Sequence, residues 1–138
     1  MSTYTSQKTA IVAILQANIT TAKAIYSYAE RNPSGYPAIN VESYDGSGVF
    51  ADTGRNRRKR IYRITVMQER VKVGASEAER ILNALVDQVI STFDNRANIS
   101  LNNTADFAYP IPSKFGYIQA PDIDVRTAEV LIEADTLE

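Results

Sequence analysis

The sequence predicts an α+β fold, in which a mainly antiparallel sheet carries two helices packed on one face. Three observations indicate it. Ile and Val together outnumber Leu by 24 to 6 in the 138 residues, and β-branched residues favour strands. Two segments repeat their apolar residues with the period of a helix. The remaining apolar segments alternate with polar residues, as half-buried strands do.

The first predicted element is a helix over residues 5–18. Its apolar residues at positions 10, 11, 14 and 15 share one helical face. Either Thr5 or Ser6 supplies a side chain that can cap the first turn.

Two short strands are predicted next, at residues 23–29 and around residues 39–44. Each is followed by a turn signal: Asn32-Pro33-Ser34-Gly35 after the first and Asp45-Gly46-Ser47-Gly48 after the second. Residues 49–60 show no clean period and end in a dense run of basic residues. We therefore expect this stretch to be irregular.

The clearest predicted strand follows the basic run. Tyr62, Ile64 and Val66 share one face of it. Val71 and Val73 have the opposite parity, so a strand that extended this far would need a bulge near residue 68.

A second helix begins after Gly74, where Ser76 and Glu79 have the spacing of a capping box.

Residues 94–121 are polar and contain Asn and Pro, which predicts a long irregular loop with at most a short strand near Tyr117. The last strand covers residues 123–134. We expect one domain over residues 1–138. The predicted buried stripe of the second helix is Ala78, Ile81, Leu82, Leu85, Val89 and Phe93.

Several classes of function are excluded by residues that the sequence lacks. Without His or Cys there is no zinc, haem or iron–sulfur ligation of the usual kinds, and no Ser–His–Asp triad. The N-terminus has no signal-peptide pattern, and no apolar run approaches 18 residues. We therefore expect a protein of a reducing cytosol that is not an enzyme and binds no metal, cofactor or membrane.

Two weaker motifs have plainer explanations. Residues 46–51 fit the glycine pattern of a dinucleotide site, but the residues after them have no helical period, so a hairpin turn is the better interpretation. The acid pairs Asp122/Asp124 and Glu77/Glu79 lie beside a strand and in a first helical turn. Acids at such positions are usually solvated or favour the helix dipole.

Charge is unevenly distributed along a chain whose 15 basic and 16 acidic residues nearly cancel. Residues 55–72 contain eight basic residues and one acid, whereas residues 121–138 contain six acids and one base. The basic run could be a solvated loop, a nucleic-acid contact through phosphates, or an edge that meets the acidic edge of a second copy. The third possibility is our leading interpretation, because opposite charges at separate places suit a head-to-tail contact that closes into a ring. The predicted interface residues are Arg55, Arg57, Arg58, Lys59, Arg60, Arg63, Asp122, Asp124, Glu129 and Glu133.

The order of these elements resembles the tail-terminator, or tail-completion, proteins of long-tailed phages. The resemblance covers residues 5–134 and depends on element order and size, with Tyr36-Pro37-Ala38-Ile39 as its one local match. It implies a structural virion protein of the tail or neck, assembled in the host cytoplasm. It also implies a hexameric ring that caps the tail tube and contacts the tail-tube and head–tail connector proteins. The alternative is a nucleic-acid-binding module that uses the basic segment Arg55 to Arg63.

Overall fold

The computed structural model of the chain describes residues 3–50, 54–120 and 123–138. It contains two helices, a 3₁₀ turn at Arg96–Asn98 and five strands. The elements are α1 (Tyr4–Asn18), β1 (Ala24–Tyr26), β2 (Ala38–Phe50), β3 (Asn56–Glu69), α2 (Ala75–Asp94), β4 (Phe107–Ala120) and β5 (Ile123–Leu137).

The strands form one sheet in the order β1-β2-β3-β5-β4. The pair β1–β2 is parallel, and the other three pairs are antiparallel. Both helices pack on the same face of this sheet, where their apolar residues join one continuous core. The predicted α+β class and layer arrangement are confirmed. One domain over residues 1–138 stays a prediction.

Alternation along β3 and β5 decides which side chains enter the core. Tyr62, Ile64 and Val66 are fully buried under the helices, as the sequence predicts. The facing residues of β5 are buried on the same side, and α2 contributes the stripe of leucines and valines at helical spacing. The hydroxyl of Tyr62 donates a hydrogen bond to Oε1 of buried Gln7 at 2.7 Å, which connects α1 to the centre of the sheet.

Both predicted helix starts need correction. The N-cap of α1 is Thr3, and its hydroxyl accepts the backbone N–H of Ser6 at 3.0 Å. Before α2, Gly74 occupies the N-cap position without a side-chain cap, so Ser76 and Glu79 do not form the predicted capping box. Glu79 instead accepts a hydrogen bond from Arg126 of β5.

Strands β2 and β3 are longer than predicted. The glycine-rich residues 45–48 continue β2 after an irregularity between Ser43 and Asp45, and the basic residues 56–60 belong to β3. No extension to Val73 occurs, because β3 ends at Glu69 and both valines beyond it are exposed. The condition under which a bulge near residue 68 was expected is therefore not met.

The segment predicted as a long irregular loop contains a full strand, β4, which pairs with β5 along its length. Pro110 and Pro112, which in the sequence argue against a regular strand, lie within it. An edge strand tolerates proline where the missing N–H would have faced away from the sheet. Within the described part of this segment, the residues before β4 are 95–106, where Leu101, Asn102 and Asn103 have positive φ, and residue 121 lies outside the described residues.

Candidate subunit interface

The basic and acidic segments lie side by side at the centre of the sheet. Strand β3 carries most of the basic run, and its neighbour β5 carries most of the acidic residues. Salt bridges join the two strands and their surroundings at 3.1–3.4 Å. These pairs are Arg57–Asp135, Lys59–Glu133, Arg60–Glu138, Arg63–Glu129 and Arg70–Asp124.

This pairing overturns the expectation of a basic edge and a separate acidic edge. The two segments form no edge, because β1 and β4 are the outer strands. Their charges are largely neutralised within the chain, which accounts for opposite charges appearing far apart in the sequence. The separation of basic and acidic residues along the sequence therefore gives no support for a contact with a second copy.

Arg63 lies at the middle of the charged network on the sheet face that carries no helix. Its Nε donates to Oε1 of Glu42 at 2.7 Å, and its Nη1 lies 3.4 Å from Glu129. Burial disfavours the charged guanidinium, but the hydrogen bond and charge of Glu42 outweigh that effect and the pKa of Arg63 is raised. The guanidinium also stacks 5.2 Å from the ring centre of Tyr44. Arg63 is held by contacts within its own chain.

The other predicted interface residues differ in their surroundings. Arg58 is exposed and has no ion-pair partner among residues 3–50, 54–120 and 123–138. Its guanidinium lies over Gly48, where an added Cβ would come within 2.9 Å of Nη1. Arg55 is exposed just before β3, and Asp122 lies outside the described residues. Of the basic residues within β3, Arg58 is the one best placed to meet a partner.

A cluster that the sequence analysis did not single out forms around Arg126. Its Nε donates to Glu79 Oε2 at 2.9 Å and its Nη1 to the carbonyl of Gly116 at 3.0 Å. The guanidinium stacks 4.5 Å from the ring centre of Tyr117 and 5.3 Å from that of Phe115. The hydrogen bond from Arg126 is the main cause that lowers the pKa of Glu79. This cluster fixes the second half of β4 against α2 while leaving both aromatic rings exposed.

An open cleft of about 500 Å³ lies on the helix-free face, near the end of the sheet where β5 begins. Met67 and Val125 contribute apolar surface, and Glu30 and Glu42 are among its charged lining residues. Asn40 also lines it; its Nδ2 donates to the carbonyl of Glu30, and within the described chain its buried Oδ1 has no hydrogen-bond partner.

Two other features are absent from the described residues. The residues that the structure describes contain no group of three or more acidic side chains placed to hold a metal ion. In the same part of the chain, no helix has the length and hydropathy needed to span a membrane.

Comparison with known proteins defines the fold. No protein-family model matches the chain, and the search of curated proteins finds no match. Among solved structures, the chain is similar to one from the virion of a native gene transfer agent particle. The TM-score is 0.54 at 12% sequence identity, over 95% of this chain and 94% of that chain. At this identity the likeness shows a shared fold over nearly the whole of both chains.

Proposed function

We propose that this chain is a structural virion protein of a phage or phage-like particle. The observation that carries the proposal is the fold shared with a chain of a gene transfer agent virion over nearly the full length of both. The absence of His and Cys and the compact ion-paired sheet suit a structural subunit. In this role the chain performs no catalysis and holds no cofactor.

The more specific proposal is a tail-terminator-like role. The chain forms a ring, of six copies in the proposal, that caps the tail tube and joins it to the head connector. Its support is the resemblance in element order to tail-terminator proteins; the shared fold with a virion chain supports the broader virion role. The location is then the tail or neck of the particle.

In this proposal the predicted interface residues have different roles. Arg57, Lys59 and Arg63 are committed to intramolecular ion pairs, so their first effect is on the stability of the subunit. Arg58 can reach a neighbouring copy or a connector protein without breaking an ion pair among the described residues. Replacing it with Glu is expected to weaken assembly and leave subunit stability unchanged.

Mass in solution tests the ring directly. We expect light scattering of the protein alone to give about six times the 15.3 kDa mass of the chain, or, if the ring forms only on tubes, about six copies bound at a tube end. A strict monomer that also ignores tubes contradicts the proposal. The Arg58→Glu variant is measured beside Arg58→Lys, which keeps the charge at the same position.

Nucleic-acid binding, the alternative from the sequence, is not favoured by the structure. Four of the basic residues between positions 55 and 63 already contact carboxylates, which removes most of the charge that phosphates would meet. A salt titration of DNA binding separates the two functions. Affinity that falls steeply with salt supports nucleic-acid binding, and no binding near physiological salt supports the structural role.

A further inference from the structure

The hydrogen-bond pattern of the sheet identifies which backbone groups face outward. Asn56 and Glu138 exchange both N–H···O bonds, at 2.6 and 2.7 Å. In an antiparallel ladder successive residues face alternate neighbours, so this pair fixes the pattern across the sheet. Along the second half of β2, the backbone N–H and C=O groups of Gly46 and Gly48 therefore point away from β3. The N–H of Gly46 donates to the carboxylate of Asp45, which agrees with an outward direction.

This side of β2 is only partly covered. Strand β1 pairs with residues 38–40 alone, from Ala38 to Asn40. In the described structure no strand pairs with the outer side of residues 41–50. One edge of the sheet is thus open over the second half of β2.

The opposite edge, β4, is closed over its first half. By the same alternation, Ala108, Pro110 and Pro112 face away from β5. The N–H of Ala108 is taken by the carbonyl of Ile99 at 2.7 Å, and the two prolines have no N–H. Prolines on an outer strand are a recognised protection against unwanted strand pairing.

The second half of β4 has no such protection. The register shifts between Pro112 and Phe115, and beyond the shift the outward-facing residues are Phe115, Tyr117 and Gln119. Phe115 and Tyr117 are 46% and 56% exposed. This half-edge combines free backbone donors with large exposed aromatic rings.

We propose that the open half of β2 in one copy pairs with the open half of β4 in the next copy, and that this contact builds the ring. The inference rests on the proposed function, and it names the surface through which the copies associate. Strands β2 and β4 run in opposite directions because three antiparallel pairings separate them. Two copies placed side by side with the same orientation therefore form an antiparallel pair.

The two half-edges differ in side-chain size. Gly46 and Gly48 have no side chain of their own, with Tyr4 lying against Gly46 and Arg58 over Gly48, whereas Phe115 and Tyr117 carry large exposed rings. Glycine in a strand permits another backbone to approach closely, which suits pairing of this edge with a second copy. The contact also joins different surfaces of the two copies, which is the kind of contact that closes into a ring.

The register predicts a displacement between neighbours. Val41 of β2 pairs with Ile64, Ile64 with Val130, and Val130 with Pro112 of β4, so Val41 and Pro112 lie at the same height in the sheet. The open half of β2 extends from this height towards one end of the sheet, and the open half of β4 extends towards the other end. Pairing them shifts each copy by roughly seven residues along the strands, on the order of 23 Å. A closed ring accommodates such a shift by tilting its strands relative to the ring axis, as barrels do.

Proline substitution tests the contact. Gly48→Pro removes an outward N–H and leaves the ladder to β3 intact. Gly48→Ala is the matched control, because it adds a Cβ beside the same flexible end of Arg58 and retains the N–H. Gln119→Pro and Gln119→Ala form the equivalent pair on β4. We expect each proline, and neither alanine, to raise the concentration at which half of the chains are assembled by ~10-fold or more.

A measurement on the wild-type chain keeps the test independent of folding in the variants. Hydrogen exchange at the amides of Gly48 and Gln119 is expected to slow by ~10-fold or more when copies assemble, because a strand then covers them. Unchanged exchange in an assembled ring overturns the edge contact.

The outcomes separate this inference from the proposed function. A ring of normal mass from both proline variants overturns the β2–β4 contact and leaves the ring itself standing. Normal rings that no longer bind tail tubes also overturn it, because the edge would then serve the tube protein. A wild-type chain that stays monomeric with and without tubes removes the contact and the ring together.

Discussion

Arg57 and Arg58 offer a direct test of the intramolecular charge pairing. They are adjacent residues of the same type on opposite faces of β3. The Nη1 of Arg57 lies 3.1 Å from Oδ1 of Asp135, whose side chain is only 6% exposed. Arg58 has no ion-pair partner within the described ranges. We expect Arg57→Glu to destabilise the subunit and Arg58→Glu to leave its stability nearly unchanged.

The expected magnitude follows from burial. Breaking a buried ion pair costs ~3–5 kcal/mol, whereas an exposed pair contributes ~0–1 kcal/mol. Asp135 is buried but the side chain of Arg57 is 44% exposed, so solvent screens the interaction and the cost falls between these limits. We expect a loss of about 1–2 kcal/mol in the free energy of unfolding for Arg57→Glu, and a change within about 0.5 kcal/mol for Arg58→Glu. For a chain of this length, the larger loss lowers Tm by about 3–7 °C.

Urea unfolding followed by circular dichroism measures both variants under the same conditions. Because ring assembly makes apparent stability depend on concentration, each variant is measured at two protein concentrations. The reasoning is refuted if the two variants unfold at the same urea concentration. It is also refuted if the difference disappears on dilution, since that would place Arg57 in a contact between copies.

Two further predictions concern the core and the pH dependence. Tyr62→Phe should cost ~1–3 kcal/mol in urea unfolding, because Oε1 of buried Gln7 loses its donor; a cost near zero would contradict this. The lowered pKa of Glu79 means that its pairing with Arg126 stabilises the fold above the unfolded pKa of about 4.5 and is lost as pH falls through the lowered folded value. Between pH 7 and pH 3, Tm should therefore fall less steeply for Glu79→Gln than for wild type. Parallel curves of Tm against pH would contradict the pairing.

The elements that sequence predicts well are those whose pattern is decided by one buried face. Tyr62, Ile64 and Val66 alternate with polar residues, and α2 carries its apolar stripe at helical spacing, so each has one arrangement that removes its apolar side chains from water. Local patterns of this kind need no knowledge of the neighbouring strand.

The errors arise where a tertiary neighbour decides the structure. Residues 45–48 carry a turn signal, yet they continue β2 because they pair with β3; Tyr4 of α1 lies so close to Gly46 that an added Cβ would clash with the Tyr4 hydroxyl. Pro110 and Pro112 argue against a strand until β4 is known to be the edge, where their nitrogens face outward.

The candidate interface was the least predictable part for the same reason. Linear charge shows that a basic and an acidic segment exist, but only the strand order reveals that β3 and β5 are neighbours. The parts of β2 and β4 that have unpaired outward backbone groups are determined by strand register and by the alternation of backbone direction. Neither of these can be predicted from a pattern of residues. The only sequence feature that marks either half-edge is the pair Gly46 and Gly48, and in the sequence these glycines predict a turn.

Electron microscopy of tail tubes assembled with a tagged copy of this chain tests the central proposal most directly. The proposed role predicts the tag at one end of each tube, in a ring, with tube growth stopped at that end. Tags distributed along the tube wall, or tubes that carry none and continue to lengthen, would contradict it.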